Sequence, residues 1–207
     1  MLHATSFRLY GPRSRSILSA ILLLAAPAIN GLCVAEEPTM TPETPVKVVD
    51  SVSMQRYAGL WYEIAKIPNR FQKKCAGGTT ALYEIRDDGK INVINRCYDK
   101  EGRLIEAKGI AKVVDPSSNA KLKVSFVKFI GIRLFWGDYW IIGLGKNYDY
   151  AVVGTPNRKY GWILARSKTL PETTLAEIFS LLRDNGYDPT DFQMTDQAIP
   201  EEPGLAE

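Results

Sequence analysis

Between Leu60 and Arg166 the chain runs through short stretches in which apolar and polar residues alternate, separated by turn residues. LWYEIAK (60–66) and TTALYEIR (79–86) come first. DDG (87–89) joins the second to INVINRCY (91–98), with Gly89 placed for the left-handed position of a three-residue hairpin loop. RLIEAKGIAKVV (103–114), AKLKVSFV (120–127), DYWIIGLG (138–145), YAVVGT (150–155) and YGWILAR (160–166) complete eight predicted strands. In the fifth, Leu122, Val124 and Phe126 alternate with Lys121, Lys123 and Ser125. In the second, Ala81, Tyr83 and Ile85 share a face; in the third, Val93, Asn95 and Cys97 do. Two segments depart from this period. Residues 53–57 predict one helical turn with Ser53 as N-cap, and 170–186 predict an amphipathic helix with Leu175, Ile178, Phe179 and Leu182 on one face and Gly186 as its stop. A last run, 192–196, predicts a short edge strand.

Eight consecutive antiparallel strands with one apolar face can close on themselves and leave few free edges. The predicted fold class is therefore all-β, an eight-stranded antiparallel up-and-down barrel with one C-terminal α-helix packed outside. Such a barrel is filled by side chains or holds one small ligand. Strand direction then sorts the ends. Trp61 at the start of the first strand, Arg166 at the end of the last, and the Lys146–Tyr150 connection fall at one end. The loops 67–78, 99–102, 128–137 and 156–159 fall at the other.

The first 35 residues have a different character. Arg8, Arg13 and Arg15 precede the apolar run Ile17–Ile29, and Cys33-Val34-Ala35 supplies small residues before Glu36. This reads as a secretory signal, cleaved after Ala35, with Ala28 as the alternative site. The run is shorter than the roughly 20 residues of a membrane-spanning helix. Lipidation of Cys33 is a second reading, for which Leu32 is a poor preceding residue. Residues 36–52 read as a flexible leader, 53–197 as the barrel plus helix, and 198–207 as a tail. The expected location is the periplasm, or the outer membrane if Cys33 is lipidated.

Removing the signal changes the charge. Its three Arg account for the excess, leaving 23 basic against 23 acidic residues, so nucleic acid is not an expected partner. The single His, His3, lies in the signal. The remainder thus lacks the base of Ser-His and Cys-His catalysis and the commonest metal ligand, so no catalytic residues, no metal site and no cofactor are assigned. Cys75 and Cys97 remain, and in an exported chain two Cys read as a disulfide ahead of a metal site, or as two small buried hydrophobes. The oligomeric state is not legible.

GLWYE with Gly59 and Trp61, NYDYA with Asp149 and Tyr150, and WILAR ending in Arg166 resemble, in order and spacing, the three signature segments of the lipocalin family. GLWYEIAKIPNRF and INVINR resemble its bacterial and apolipoprotein D-like branch. The resemblance implies that Gly59, Trp61, Asp149, Tyr150 and Arg166 form a barrel floor, with Arg166 over the Trp61 indole. It also implies that the opposite end is the mouth of a ligand pocket. Cys75 and Cys97 then both lie at the mouth. Related animal proteins bridge this loop Cys to the C-terminal segment, which has no Cys here, so that pairing is not carried over.

The resemblance further implies that Tyr83, Asn95 and Trp162 face the cavity, and strand parity agrees for Tyr83 and Asn95. Phe126 and Tyr139 are added as pocket residues. A filled core without ligand is the competing reading of the same positions. Phe129, Phe135 and Trp136 lie in the apolar, basic-edged stretch KFIGIRLFWG, which reads as a loop folded back on the barrel or as a lip meeting a membrane surface. Glu63, Arg96 and Lys112 are left unassigned. The implied function is non-enzymatic binding, storage or transport of a small hydrophobic ligand, such as a fatty acid or lysophospholipid, in the bacterial cell envelope. The alternatives are an isomerase-like enzyme on the same barrel, using Cys75 as a free thiol or Glu63 as a cavity carboxylate, and an envelope chaperone or membrane-surface protein.

Overall fold

The computed structural model describes residues 44–130 and 132–199. The expected signal, Cys33 and the end of the tail lie outside the described residues. The chain runs α1 (Met54–Tyr57), β1 (Gly59–Lys66), β2 (Gly77–Ile85), β3 (Ile91–Tyr98), β4 (Leu104–Val113) and β5 (Lys121–Ser125). It continues through β6 (Val127–Phe129), β7 (Ile132–Leu134), β8 (Gly137–Leu144), β9 (Tyr150–Gly154), β10 (Gly161–Ala165), α2 (Glu172–Asp184) and β11 (Gln193–Met194). The wall follows the order β10-β9-β8-β5-β4-β3-β2-β1, and β1 pairs back onto β10. All neighbouring pairs are antiparallel, so the expected eight-stranded barrel closes.

The two faces of the wall bury two cores. Trp61, Ala81, Tyr83, Val93, Ala111, Leu122, Ile141, Val153 and Leu164 form the inner one. Ile64, Ala65, Ile142, Val152, Ile163 and Ala165 form the outer one, covered by Ile178 and Leu182 of α2. Helical spacing thus matches a stripe of outward-facing strand residues that would otherwise meet water. A register shift in the β1–β10 pairing between Glu63 and Ala65 lets Ile64 and Ala65 both join the outer core. It also lets Lys66, three residues on, reach back to Glu63.

Three expectations are corrected. Residues 44–52 are not a flexible leader. Val46 and Val52 are buried, and the Val49 and Val52 N–H groups donate to Ile141 and Ser118 carbonyls at 3.0 and 2.8 Å. The valines of this stretch supply enough apolar contact to hold it on the barrel. The fifth strand stops at Ser125, because the buried Ser125 hydroxyl reaches the carbonyls of Val127 and Leu134 and diverts the chain. β6 and β7 then pair with each other where a linker was expected.

The predicted edge strand is present but short. β1 and β2 pair only from Gly59↔Tyr83 to Tyr62↔Thr80, and beyond that point β11 pairs with Ala65 and Lys66. The C-terminal segment therefore occupies the gap where β1 and β2 part. Leu182 is fully buried at the α2–wall contact. Leu182→Ala is expected to lower the free energy of unfolding by about 2–5 kcal/mol in a denaturant titration. A loss below ~1 kcal/mol would mean that α2 is not packed as described.

Candidate functional site

One end of the barrel is sealed. The Arg166 guanidinium lies 3.8 Å above the centre of the Trp61 ring, and Trp61 is fully buried. Arg166 Nη1 donates to the Leu60 carbonyl at 2.6 Å. Its Nη2 donates to the carbonyls of Arg56, Tyr57 and Ala58 at 2.8, 3.1 and 2.9 Å. Trp61 Nε1 adds a bond to the Tyr57 carbonyl at 2.8 Å. The Arg56, Tyr57 and Ala58 carbonyls are left open at the end of a single helical turn, and one planar five-donor cation answers them together with Leu60 of β1. Gly59 has φ +95, a backbone region costly for any residue with a Cβ. Asp149 accepts the Arg166 backbone N–H on its own carbonyl at 2.8 Å. Tyr150 lies on the other side of the wall, in the outer core, with Glu177 of α2 nearby.

Directly above the floor stand three tyrosines. The Tyr139 hydroxyl is 2.7 Å from that of Tyr57 and 2.8 Å from that of Tyr83. Burial pushes the Tyr83 hydroxyl up to about 12 and those of Tyr57 and Tyr139 well above the ordinary range, so all three are neutral at physiological pH. Apolar wall residues surround them. Further up, Asn95 Oδ1 and Thr79 Oγ1 are buried and find no hydrogen-bond partner among the described residues. Thr79 shares the inward parity of Ala81 and Tyr83 on β2, and Asn95 that of Val93 and Cys97 on β3.

Nearest the mouth is a charged cluster. Glu63 is 3% exposed. It accepts from Lys66 Nζ at 2.7 Å, Thr195 Oγ1 at 2.6 Å and Gln72 Nε2 at 2.6 Å. Gln72 in turn accepts the Trp162 indole N–H at 3.1 Å. A pocket of about 240 Å³ opens here, lined among others by Lys66, Asn69, Gln72, Thr79 and Thr195.

A lipocalin-like domain matches residues 52–197, from the turn before α1 to the segment after β11. This chain is a lipocalin. It is 37% identical over 162 residues to temperature-induced lipocalin-1 of Arabidopsis thaliana, covering 77% of this chain and 87% of the relative. It is 35% identical over 173 residues to the outer membrane lipoprotein Blc of Escherichia coli K12, covering 83% and 94%. Apolipoprotein D of Macaca fascicularis is 31% identical over 188 residues, covering 87% and 96%. Among solved structures, insecticyanin from the tobacco hornworm Manduca sexta superposes with a TM-score of 0.59 at 24% identity, covering 73% of this chain and 84% of that one. That last likeness carries the fold alone. Lipocalins as a family bind small hydrophobic molecules.

At the open end of this lipocalin, Cys75 and Cys97 form a disulfide with Cα atoms 5.5 Å apart. The bridge ties the first mouth loop to the end of β3 and leaves no free thiol at either position, which removes the Cys75 nucleophile considered above. The C-terminal segment is fastened without a cysteine. Gln197 Nε2 donates to the carbonyls of Glu63 and Thr79 at 2.6 and 3.0 Å, and the Gly78 N–H donates to the Asp196 carbonyl at 2.8 Å. Among the described residues no group of three or more Cys, Asp or Glu converges as metal ligands would.

The remaining expected residues distribute around the mouth. Phe126 keeps the inward parity of Leu122 and Val124. Its ring lies where a Cβ on Gly109 would come within 2.8 Å, so Gly109 is the residue that admits it. Phe126 is also 40% exposed, placing it at the rim. Trp136 faces out of the wall, with Lys112 Nζ 4.5 Å above its ring. Phe135 is 80% exposed, and Ile130 and Ile132 beside it are exposed too. The Phe129 side chain lies outside the described residues.

Glu63, Lys66, Gln72 and Thr195 were not assigned from the sequence. The signal for Glu63 was present, since it stands two residues after Trp61 on an alternating strand. Glu63→Gln leaves the Lys66 ammonium without its counter-charge in a mostly buried position, and is expected to cost about 3–5 kcal/mol of stability. Glu63→Gln with Lys66→Met should recover most of that loss. A loss in the double variant equal to the sum of the losses of Glu63→Gln and Lys66→Met alone, in denaturant titrations, would show that the pair is not coupled.

Proposed function

We propose that this lipocalin binds and carries an acyl-chain lipid, a fatty acid or lysophospholipid, in the bacterial cell envelope, without catalysing a reaction. The observation that carries this reading is an apolar interior sealed at Trp61 and Arg166 whose upper wall holds two buried, unpartnered polar atoms, Asn95 Oδ1 and Thr79 Oγ1. Buried polar atoms ordinarily find partners, and in a ligand site a few of them orient a guest that apolar walls hold. Tyr83, Asn95, Trp162, Tyr139 and Phe126 are the proposed contacts. Each buried methylene contributes roughly 0.8 kcal/mol, so a medium-length chain overcomes the cost of association. Similarity to outer membrane lipoproteins of Escherichia coli, Vibrio cholerae and Citrobacter freundii supports the envelope location. Lipid extraction and native mass spectrometry of the protein purified from its own envelope are expected to yield an acyl-chain lipid. Failure of the delipidated protein to take up any member of a panel of chain lengths would overturn the reading.

The mouth lip supports contact with a membrane surface as part of the same role. Ile130, Ile132 and Phe135 are 83%, 65% and 80% exposed. On the adjoining outer wall, Lys112 lies over Trp136 and Lys121 over Trp140. An apolar tip above an aromatic and lysine belt suits the interface of an anionic bilayer. Ile132→Ser with Phe135→Ser is expected to abolish co-sedimentation with phosphatidylglycerol-containing vesicles while leaving fatty-acid binding unchanged. Unaltered co-sedimentation would show that the lip is not the contact.

A further inference from the structure

The three tyrosines above the floor carry an imbalance that the sealed barrel does not resolve. They hold three hydroxyl protons and form two hydrogen bonds, Tyr57 with Tyr139 and Tyr139 with Tyr83. Each bond uses one proton. Whichever way the chain is polarised, one O–H is left, on Tyr57, Tyr83 or Tyr139. The count does not depend on the direction. Among the described residues no hydrogen bond runs from these hydroxyls to an acceptor beyond the three of them. The wall there is Ala81, Val93, Ala111, Leu122, Ile141, Val153 and Leu164. The nearby carboxylate, Glu63, has its oxygens engaged by Lys66, Gln72 and Thr195. An unmet donor in such surroundings is costly.

We infer that this hydroxyl chain is a subsite for a neutral oxygen at the inner end of the ligand, so that the molecule carried is an acyl chain oxygenated at its far end. A carboxylate is the wrong group for the position, since one hydroxyl donor does not offset the burial of a full charge at the bottom of an apolar barrel. A hydroxyl fits on two counts. Its oxygen accepts the spare tyrosine proton. Its own proton has a buried acceptor without a donor on the same wall, Asn95 Oδ1. Asn95 pairs with Ala81, one strand repeat of ~7 Å nearer the mouth than the Tyr83↔Val93 pair. The charged end of such a ligand then stays at the mouth, beside Lys66.

This rests on the acyl-lipid reading above, and the test separates the two. Lauric acid and its ω-hydroxylated counterpart are titrated calorimetrically into the delipidated protein and into the variant carrying Tyr57→Phe, Tyr83→Phe and Tyr139→Phe. The unmodified protein is expected to bind the ω-hydroxy acid at least as tightly as laurate. The variant should bind it about tenfold or more weaker than laurate, because its hydroxyl then has no donor to meet. If neither lipid binds the unmodified protein, the acyl-lipid reading falls and this inference with it. If both bind and their affinity ratio is the same in protein and variant, the carrier reading stands and the inference is overturned, the spare proton being met by water. Should the triple variant fail to fold, the unmodified protein labelled with carbon-13 at tyrosine Cζ gives the answer. The ω-hydroxy acid is expected to shift the resonances of the three tyrosines beyond the response to laurate, and identical responses overturn the inference.

Discussion

The guanidinium of Arg166 over the indole of Trp61 is the contact on which the polarity of this barrel depends. It joins the end of β10 to the start of β1, the two strands whose pairing closes the wall. The same cation draws in the backbone carbonyls of Arg56, Tyr57, Ala58 and Leu60, so α1 lies across the opening as a lid. A lysine would supply the charge without the flat surface for the ring or the fork for several carbonyls. With one end sealed in this way, a molecule can reach the interior through the other. The longer connections, the loop before β2 and the β6–β7 hairpin, stand at that other end.

The open end solves a different problem. There β1 and β2 part, and two strand edges would expose unpaired backbone groups. The C-terminal segment fills the gap, with β11 pairing to β1 and Gln197 bridging the Glu63 and Thr79 carbonyls. Glu63 is the hub, since it holds Thr195 of that segment and Gln72 of the first mouth loop together. The disulfide fixes the far end of the same loop to β3. Constraining a loop of 22 residues removes unfolded-state entropy worth about 3 kcal/mol. The loop is therefore anchored at both ends, by an ionic cluster and by a covalent bond, and a pocket remains between it and the C-terminal segment.

Much of this was legible from alternation. The eight wall strands and the helix with Ile178 and Leu182 on its inner face follow from periodicity, and strand direction puts Trp61 and Arg166 at one end, while the family resemblance implied that one lies over the other. What escaped did so for physical reasons. Glu63 was offered only as the cavity carboxylate of an enzyme and Lys66 was not singled out; their burial depends on mutual pairing that only the folded chain displays. The register shift in β1 breaks the alternation one residue beyond Glu63, hiding Lys66 as well. Residues 44–52 contain Pro, Lys and Asp among their valines, and they are held by contacts to Ile141, Ser118 and Asn185 far away in sequence. The β6–β7 hairpin alternates in Val127-Lys128-Phe129 and Ile132-Arg133-Leu134, but each arm is three residues long, too short for the period to stand out.

The interior is ordered by the cost of burial. Neutral tyrosine hydroxyls lie deepest, where desolvation is most severe. The single polar atoms of Asn95 and Thr79 stand higher on the wall, and the buried Glu63 carboxylate is neutralised by Lys66, which borders an open pocket. A site arranged in this sequence discriminates among guests chiefly through its neutral polar atoms. Apolar walls accept any chain of suitable width, and an additional methylene changes affinity by only ~1–3 kcal/mol. A buried donor or acceptor left unpaired, in contrast, penalises every guest that lacks the matching group. On the proposed carrier reading, selectivity within the barrel would reside in the few hydroxyl and amide atoms for which the described residues provide no partner.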